Sequence, residues 1–237
     1  EGEMTNTTPS LFDRLKAAAA DDWAAYTGHA FVRQLGLGTL PEAAFRHYLG
    51  QDYLFLIHFA RAYALAAYKT TDLAEMRRAA ASVDGILNTE MALHIDYCRG
   101  WGLDEAALAA LPEAKATMAY TRFVLECGLA GDSLDLYVAL SPCVVGYGEI
   151  GAALAAEQAA DPAAVSATVG KGNPYASWIE MYAGPAYQQV AQAAVAQLDH
   201  LAALRLTPAR FDALCQTFRR ATQLEADFWH MGLTLAP

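Results

Sequence analysis

Residues 141–151, SPCVVGYGEIG, place a thiol and a phenol among small residues. On a helix, Cys143 and Tyr147 are four positions apart and share a face. Because Cys143 follows Pro142, we expect it near a helix start or just past a kink, where free N–H groups lower the pKa of a thiol. It would then be a nucleophile with a hydroxyl partner. The alternative is close helix packing, since each glycine here costs about 1 kcal/mol relative to Ala.

Two acidic residues stand among apolar neighbours in other segments. Asp52, in YLGQDYLFL, either faces solvent or is buried to accept hydrogen bonds from an amino group on a ring edge. Glu225, in ATQLEADFWHMG, is four residues from Trp229. Burial among aromatic rings would raise the pKa of this carboxyl, which suits a general acid. An exposed glutamate on a helix surface is the simpler alternative.

A third acidic position pairs with a histidine. Glu90 and His94 are four apart in NTEMALHIDYC, so they are either two ligands on one helix face or a satisfied polar contact. The cysteines are scattered without a C-x-x-C pair, which disfavours a zinc or redox motif and predicts free thiols. They are Cys98, Cys127, Cys143 and Cys215.

Composition limits the class of protein. The chain of 237 residues is 55% hydrophobic, enough for a sizeable core, and its net charge of −10 argues against nucleic acid or anionic membranes as partners. No uninterrupted apolar run approaches the roughly 20 residues of a membrane span. The first ten residues have no basic start or apolar stretch, so we expect no signal peptide and a cytoplasmic protein. Glu1–Glu3, ahead of Met4, are expected to be residues added for expression.

The periodicity is helical throughout, with apolar residues three and four apart and no alternating strand pattern. We predict an all-α up-down bundle forming a single domain over residues 10–237, after a tail at 1–9. Residues 170–174 are predicted as a loop and Pro142 as a kink. The predicted helices and turns cover 10–26, 41–68, 72–99, 104–110, 112–128, 133–160, 174–182, 185–204 and 208–231.

Several of these segments together resemble the thiaminase II family, known as TenA. The matching segments are residues 29–66, EMALHIDYC, SPCVVGYGEIG, NPYASWIEMYAG and LEADFWHMG, in the family's order and spacing. The resemblance implies a haem-oxygenase-like helical fold, a homotetramer, and no metal or cofactor. It also implies hydrolysis of 4-amino-5-aminomethyl-2-methylpyrimidine to the hydroxymethylpyrimidine and ammonia, or cleavage of thiamin to the same pyrimidine and the thiazole.

The resemblance also assigns roles to single residues. The family's catalytic cysteine falls on Cys143, which places the chain in the cysteine-containing branch rather than the branch that uses glutamates. Its acid/base glutamate falls on Glu225, and the aspartate that holds the ring's amino group falls on Asp52. The residues that line the substrate site are Tyr120, Tyr147, Tyr175 and Phe55, the last at a position where some members have tyrosine.

Two other functions are compatible with the sequence. A metal-dependent oxidase on the same fold would need a ligand set such as His-x3-Asp-x2-His, but Gln223 precedes Asp227 and His230 here. A haem protein would need an axial ligand such as His29 or His58. A non-catalytic pyrimidine-binding or regulatory role is the other alternative, although no basic patch indicates direct DNA binding.

Overall fold

The computed structural model describes residues 8–161 and 172–237, in which every regular element is a helix. The all-α prediction is therefore confirmed, whereas most of the predicted tail and the start of the predicted 170–174 loop lie outside the described residues. The helices are α1 (Leu11–Ala18), α2 (Ala20–Thr27), α3 (Ala30–Leu37), α4 (Glu42–Tyr68), α5 (Leu73–Gly85), α6 (Met91–Gly100), α7 (Glu105–Ala109), α8 (Lys115–Ala130), α9 (Ser133–Ala160), α10 (Ala176–Ala183), α11 (Pro185–Arg205) and α12 (Pro208–Thr234).

The N-terminal region contains one more helix and one more break than predicted. Ser10 caps α1 through a capping box with Asp13. The predicted helix over 10–26 is interrupted at Ala19, whose φ of −121° is not helical, so α1 and α2 are separate. Helix α3 was missed, although its start is capped by His29 and its end by Gly38, where a φ of 73° favours glycine.

The predicted helix over 72–99 is divided by a π-helical turn. Asp72 caps α5 by accepting a hydrogen bond from the Glu75 N–H. The five residues Ile86–Glu90 then form the π-helical turn that joins α5 to α6. Such turns contain an extra residue and occur frequently at functional sites.

Helix α9 is the central helix of the bundle. By length and composition it could cross a membrane, with a mean hydropathy of 1.4 over an 18-residue window, but 72% of that window is buried inside the protein. It packs against α10, α11, α12 and α8, which surround it. Its apolar character therefore follows from contact with protein on several sides.

Helix α9 continues through Pro142, as the predicted helix over 133–160 does, so of the two alternatives for Cys143 the helix start is wrong. Proline has no N–H for the carbonyl four residues earlier. Here the Ser141 hydroxyl donates a hydrogen bond of 2.8 Å to the Val138 carbonyl. The Tyr26 hydroxyl donates one of 3.0 Å to the carbonyl of Pro142 itself. The Ser141 hydroxyl therefore replaces the donor that Pro142 lacks, and Cys143 remains within a long helix.

The glycines after Cys143 permit close packing, as one of the two interpretations predicted. A Cβ at Gly146 would lie 2.5 Å from ring atoms of Tyr26. A Cβ at Gly151 would lie 2.6 Å from the Cβ of Tyr182 and 2.7 Å from its carbonyl carbon. Both contacts are shorter than real Cβ atoms tolerate, so these glycines determine how closely α2 and α10 approach α9.

Candidate active site

A cavity of about 370 Å³ lies beside Cys143, among α4, α5, α9, α10 and α11. Most of its wall is aliphatic or aromatic. Its acidic and thiol groups come from separate parts of the chain: Asp52 from α4, Glu90 from the π-helical turn and Cys143 from α9. A mostly apolar cavity with a few polar groups is the usual form of a small-molecule site.

Glu225 lies next to the thiol and is buried, with only 2% of its surface exposed. The Tyr120 hydroxyl donates a hydrogen bond of 2.6 Å to its Oε1. The thiol of Cys143 is a second hydrogen-bond partner of this carboxyl. Glu225 is not among the residues that line the cavity, so its link to the cavity runs through Cys143.

The pKa of Glu225 is raised to about 8, as burial among aromatic rings predicted. Desolvation is the main cause, and the charge of Asp52 adds to it, whereas the hydrogen bonds from Tyr120 and Cys143 act in the opposite direction. The exposed-surface alternative is therefore wrong for Glu225. A carboxyl with this pKa holds its proton at neutral pH and can act as a general acid.

The pKa of the Cys143 thiol is raised well above its usual value, which overturns the expectation of a lowered pKa. Desolvation contributes most, and the nearby carboxylates of Glu225 and Asp52 add to it. The predicted cause was a helix N-terminus, but Cys143 lies in the interior of α9. The resting sulfur is therefore a thiol, and a thiolate must be formed by proton transfer within the site.

Asp52 is buried, with 7% of its surface exposed, and lines the cavity. Its Oδ2 lies 3.7 Å from Nδ1 of His94. The other ring nitrogen of His94 is 3.0 Å from the Leu49 carbonyl and is the donor in that contact, which leaves Nδ1 facing the carboxylate. Desolvation raises the pKa of Asp52, and His94 opposes that shift. His94 thus serves as a polar contact for Asp52.

Aromatic rings surround these groups. Phe55 lines the cavity and stacks on Phe59, with ring centroids 5.1 Å apart, and its ring lies 5.2 Å from that of Tyr120. Tyr147 also lines the cavity, and its hydroxyl is 3.2 Å from that of Tyr48. These rings provide flat apolar surfaces on which a heterocycle can pack.

The structure does not bring Tyr175 to this cavity. Its hydroxyl donates a hydrogen bond to the Leu40 carbonyl, and its ring stacks on Trp101, with centroids 5.4 Å apart. Tyr182 on α10 lines the cavity instead, 4.9 Å from the ring of Tyr147. The other predicted residues meet at one place, either on the cavity wall or directly behind it.

Two tyrosines that line the cavity were not predicted from the sequence. Tyr63 and Tyr187 line the cavity, and the Tyr187 hydroxyl donates a hydrogen bond of 2.9 Å to the Val144 carbonyl. Glu90 was noticed only as a partner of His94, four residues along a regular helix. The four-residue spacing of Glu90 and His94 does not reveal the extra residue of the π-helical turn. That residue changes the direction in which the Glu90 side chain leaves the helix.

The residues considered for metal or haem binding lie elsewhere. Asp227 and His230 are exposed on α12. His29 caps α3, and His58 contacts Arg122 and Glu113, so neither is on the cavity wall. Within residues 8–161 and 172–237, no three His, Cys, Asp or Glu side chains are grouped as metal ligands. All four cysteines are free, as predicted.

The fold is shared with proteins of the haem-oxygenase-like class. A domain from Shewanella denitrificans described as having a heme oxygenase-like fold matches 97% of this chain with a TM-score of 0.69 at 12% identity, covering 94% of that chain. A TenA family transcription regulator from Silicibacter sp. TM1040 matches 98% of this chain and all of its own, with a TM-score of 0.87 and 46% identity. The predicted fold is confirmed.

The sequence matches the model of the TENA/THI-4/PQQC family over residues 16–235, and the chain belongs to this family. An uncharacterized protein from Haemophilus influenzae is 40% identical over 95% of this chain and 100% of its own length. An aminopyrimidine aminohydrolase from Halalkalibacterium halodurans is 33% identical over 89% of each chain. The predicted TenA resemblance is confirmed.

Proposed function

We propose that this protein is a thiamin-salvage hydrolase that converts 4-amino-5-aminomethyl-2-methylpyrimidine to the hydroxymethylpyrimidine and ammonia. The observation that carries the proposal is the convergence of a thiol and two buried carboxyl groups around one aromatic cavity. The similarity to aminopyrimidine aminohydrolases over most of the chain supports the same reaction. Cleavage of thiamin releases the same pyrimidine and is the related activity that we propose for this site.

The first step uses the protonated Glu225. It gives its proton to a ring nitrogen of the bound pyrimidine, which makes the ring more electrophilic. The resulting carboxylate takes the proton of Cys143 as the sulfur forms a bond to a ring carbon. This order explains a site in which both groups rest protonated, since the thiolate exists only while it reacts.

The later steps return the site to its starting state. The ring–thiol adduct is an enamine, which pushes electrons toward the exocyclic methylene and breaks its C–N bond. An ammonium substituent leaves as neutral ammonia with the electron pair of that bond. Water adds to the methylene and releases one proton to solvent. The sulfur then departs as the aromatic ring re-forms, and it takes a proton from Glu225, which regains one from the ring nitrogen.

The remaining residues orient the ring. Asp52 accepts hydrogen bonds from the 4-amino group, and His94 lies 3.7 Å from that carboxylate. Phe55 and Tyr147 pack against the ring, which restricts it to a reactive position. Positioning of this kind contributes several kcal/mol to lowering a barrier. We propose no metal or cofactor for this route, and we propose a cytoplasmic homotetramer without nucleic-acid or membrane partners.

The test is to incubate the purified protein with the aminomethylpyrimidine and, separately, with thiamin and to measure the released hydroxymethylpyrimidine. We expect turnover of at least one substrate, and a loss of roughly 10³-fold or more in Cys143→Ser. Cys215→Ser is the matched control, because Cys215 lies outside the cavity, and it should keep full activity. Failure to turn over either substrate, or an active Cys143→Ser, would contradict the proposal and favour a binding or regulatory role.

A further inference from the structure

Glu90 is a cavity residue that the reaction above does not use. It is the last residue of the π-helical turn Ile86–Glu90, and it lines the same cavity as Cys143 and Asp52. Among the described residues, its carboxylate has no hydrogen-bond or salt-bridge partner. Glu90 is exposed, so solvent satisfies its carboxylate, and a ligand bound in the cavity can take the place of that solvent.

The charges around Glu90 favour a positively charged ligand beside its carboxylate. Desolvation raises its pKa, the nearby charge of Asp52 raises it further, and His94 partly offsets this. Glu90 is also close enough to Cys143 and Tyr182 for its charge to raise their pKa values. Two acidic groups that line one cavity and repel each other would both be stabilised by a cation placed between them.

The proposed substrate provides such a cation. A primary alkylamine carries a proton at neutral pH, as the lysine side chain does. When Asp52 holds the 4-amino group, the neighbouring aminomethyl substituent projects from the adjacent ring position. An ammonium group there has three N–H donors for a carboxylate, whereas the hydroxymethyl group of the product is neutral and the thiazolium of thiamin has no N–H on its ring nitrogen.

Resting on the function proposed above, we infer that Glu90 binds the ammonium group of aminomethyl substrates and determines the preference for them over neutral or aromatic substituents. The carboxylate holds the ammonium beside the exocyclic methylene until the C–N bond breaks. Ammonia then departs neutral, the attraction to Glu90 is weakened, and water can enter the same place. Glu90 is thus a substrate-binding residue that recognises the leaving group.

Binding measurements on an inactive background test this inference. Cys143→Ala prevents turnover, so dissociation constants for the aminomethylpyrimidine and the hydroxymethylpyrimidine can be measured by calorimetry with and without Glu90→Gln. We expect Glu90→Gln to weaken binding of the aminomethyl compound by roughly 10- to 100-fold, the range for a hydrogen bond to a charged group. Binding of the hydroxymethyl compound should change by about twofold or less, because its neutral substituent gains little from a carboxylate.

Control variants distinguish a failure of the Glu90 inference from a failure of the proposed function. Glu126→Gln removes an exposed carboxylate on α8, outside the cavity, and should change neither constant. Equal effects of Glu90→Gln on both compounds, or no effect on either, would overturn the inference while leaving the proposed function in place. If the Cys143→Ala parent binds neither pyrimidine, the proposed function fails and the inference fails with it. In the active enzyme, Glu90→Gln should lower kcat/KM for the aminomethyl substrate more than for thiamin.

Discussion

Carboxylates at the start of α9 and carboxyl groups beside its middle have opposite electrostatic surroundings. Asp132 caps α9, and Arg210 donates hydrogen bonds of 2.8 and 3.0 Å to its two oxygens. Desolvation raises the pKa of Asp132, but the hydrogen bonds from Arg210 and Asp135 outweigh it and lower the pKa to about 2. Glu225, whose hydrogen-bond partners are the uncharged Tyr120 and Cys143, has a pKa of about 8.

The contrast shows how the same chemical group, a carboxyl, serves two purposes around one helix. A carboxylate paired with arginine stays ionised and stabilises the helix start. A carboxyl without a cation keeps its proton, which costs stability when it must ionise but provides an acid at neutral pH. The difference lies in the partners that the fold supplies, and variants in each region should separate the two purposes.

The largest expected effect is the loss of activity in Glu225→Gln. The amide keeps the shape of the side chain but cannot transfer a proton, so we expect kcat to fall by about 10²- to 10⁴-fold. A steady-state assay with the aminomethylpyrimidine measures this. Activity within a few-fold of the parent would show that Glu225 is not the acid.

The same variant should gain stability relative to the parent as the pH rises. The folded-state pKa of Glu225 is raised from 4.5 to about 8, so the folded parent binds more protons than the unfolded chain between these values. Its free energy of unfolding therefore decreases as the pH rises through this window, and the amide of the variant, which does not titrate, has no such dependence. Denaturant unfolding at several pH values measures the difference. A gap between the two proteins that stays constant with pH would contradict the assigned shift.

The next effect concerns Tyr120→Phe. Its hydroxyl lowers the pKa of Glu225 by a hydrogen bond, so removing it should raise that pKa further. The loss of kcat/KM at high pH, which we expect near pH 8 in the parent, should then move to higher pH, with roughly a tenfold lower rate. A pH–rate profile measures the shift. A pH–rate profile that does not move would show that Tyr120 does not influence the pKa of the group that controls the rate.

A smaller effect, on stability alone, is expected from Arg210→Met. The substitution removes the guanidinium that lies 2.8 Å from Asp132 and 3.0 Å from Asp135, and it leaves Arg205, 3.7 Å from Asp132, in place. Because the pair is partly exposed and solvent screens it, we expect a loss of about 1 kcal/mol in the free energy of unfolding. kcat should be unchanged. A large loss of activity in a well-folded Arg210→Met protein would mean that the two regions are coupled.

An effect of similar size, again on stability alone, is expected from Tyr175→Phe. The hydroxyl satisfies the Leu40 carbonyl away from the cavity, so its loss should cost about 1 kcal/mol of stability and leave KM unchanged. The assignment of Tyr175 to the substrate site came from the family resemblance. A raised KM with unchanged stability would support that assignment over the position seen here.

The sequence was sufficient to predict most helices because proline, glycine and capping residues mark their ends. The break at Ala19 has no such mark, and α3 was missed because glycines lie before, within and after it. The thiol and the carboxyl groups could be predicted from their unusual neighbours and from the family resemblance. The pKa of Cys143 could not, because it depends on Glu225 and Asp52, which are distant along the chain.

The π-helical turn has a consequence for variation in chain length. Each residue of an α-helix advances the direction of the side chain by about 100°. Removing one residue between Ile86 and Glu90 would restore a regular helix from Leu73 onward, and it would rotate Glu90 and His94 together relative to α5. A single deletion could thus withdraw both side chains from Asp52 without altering any residue that touches the thiol.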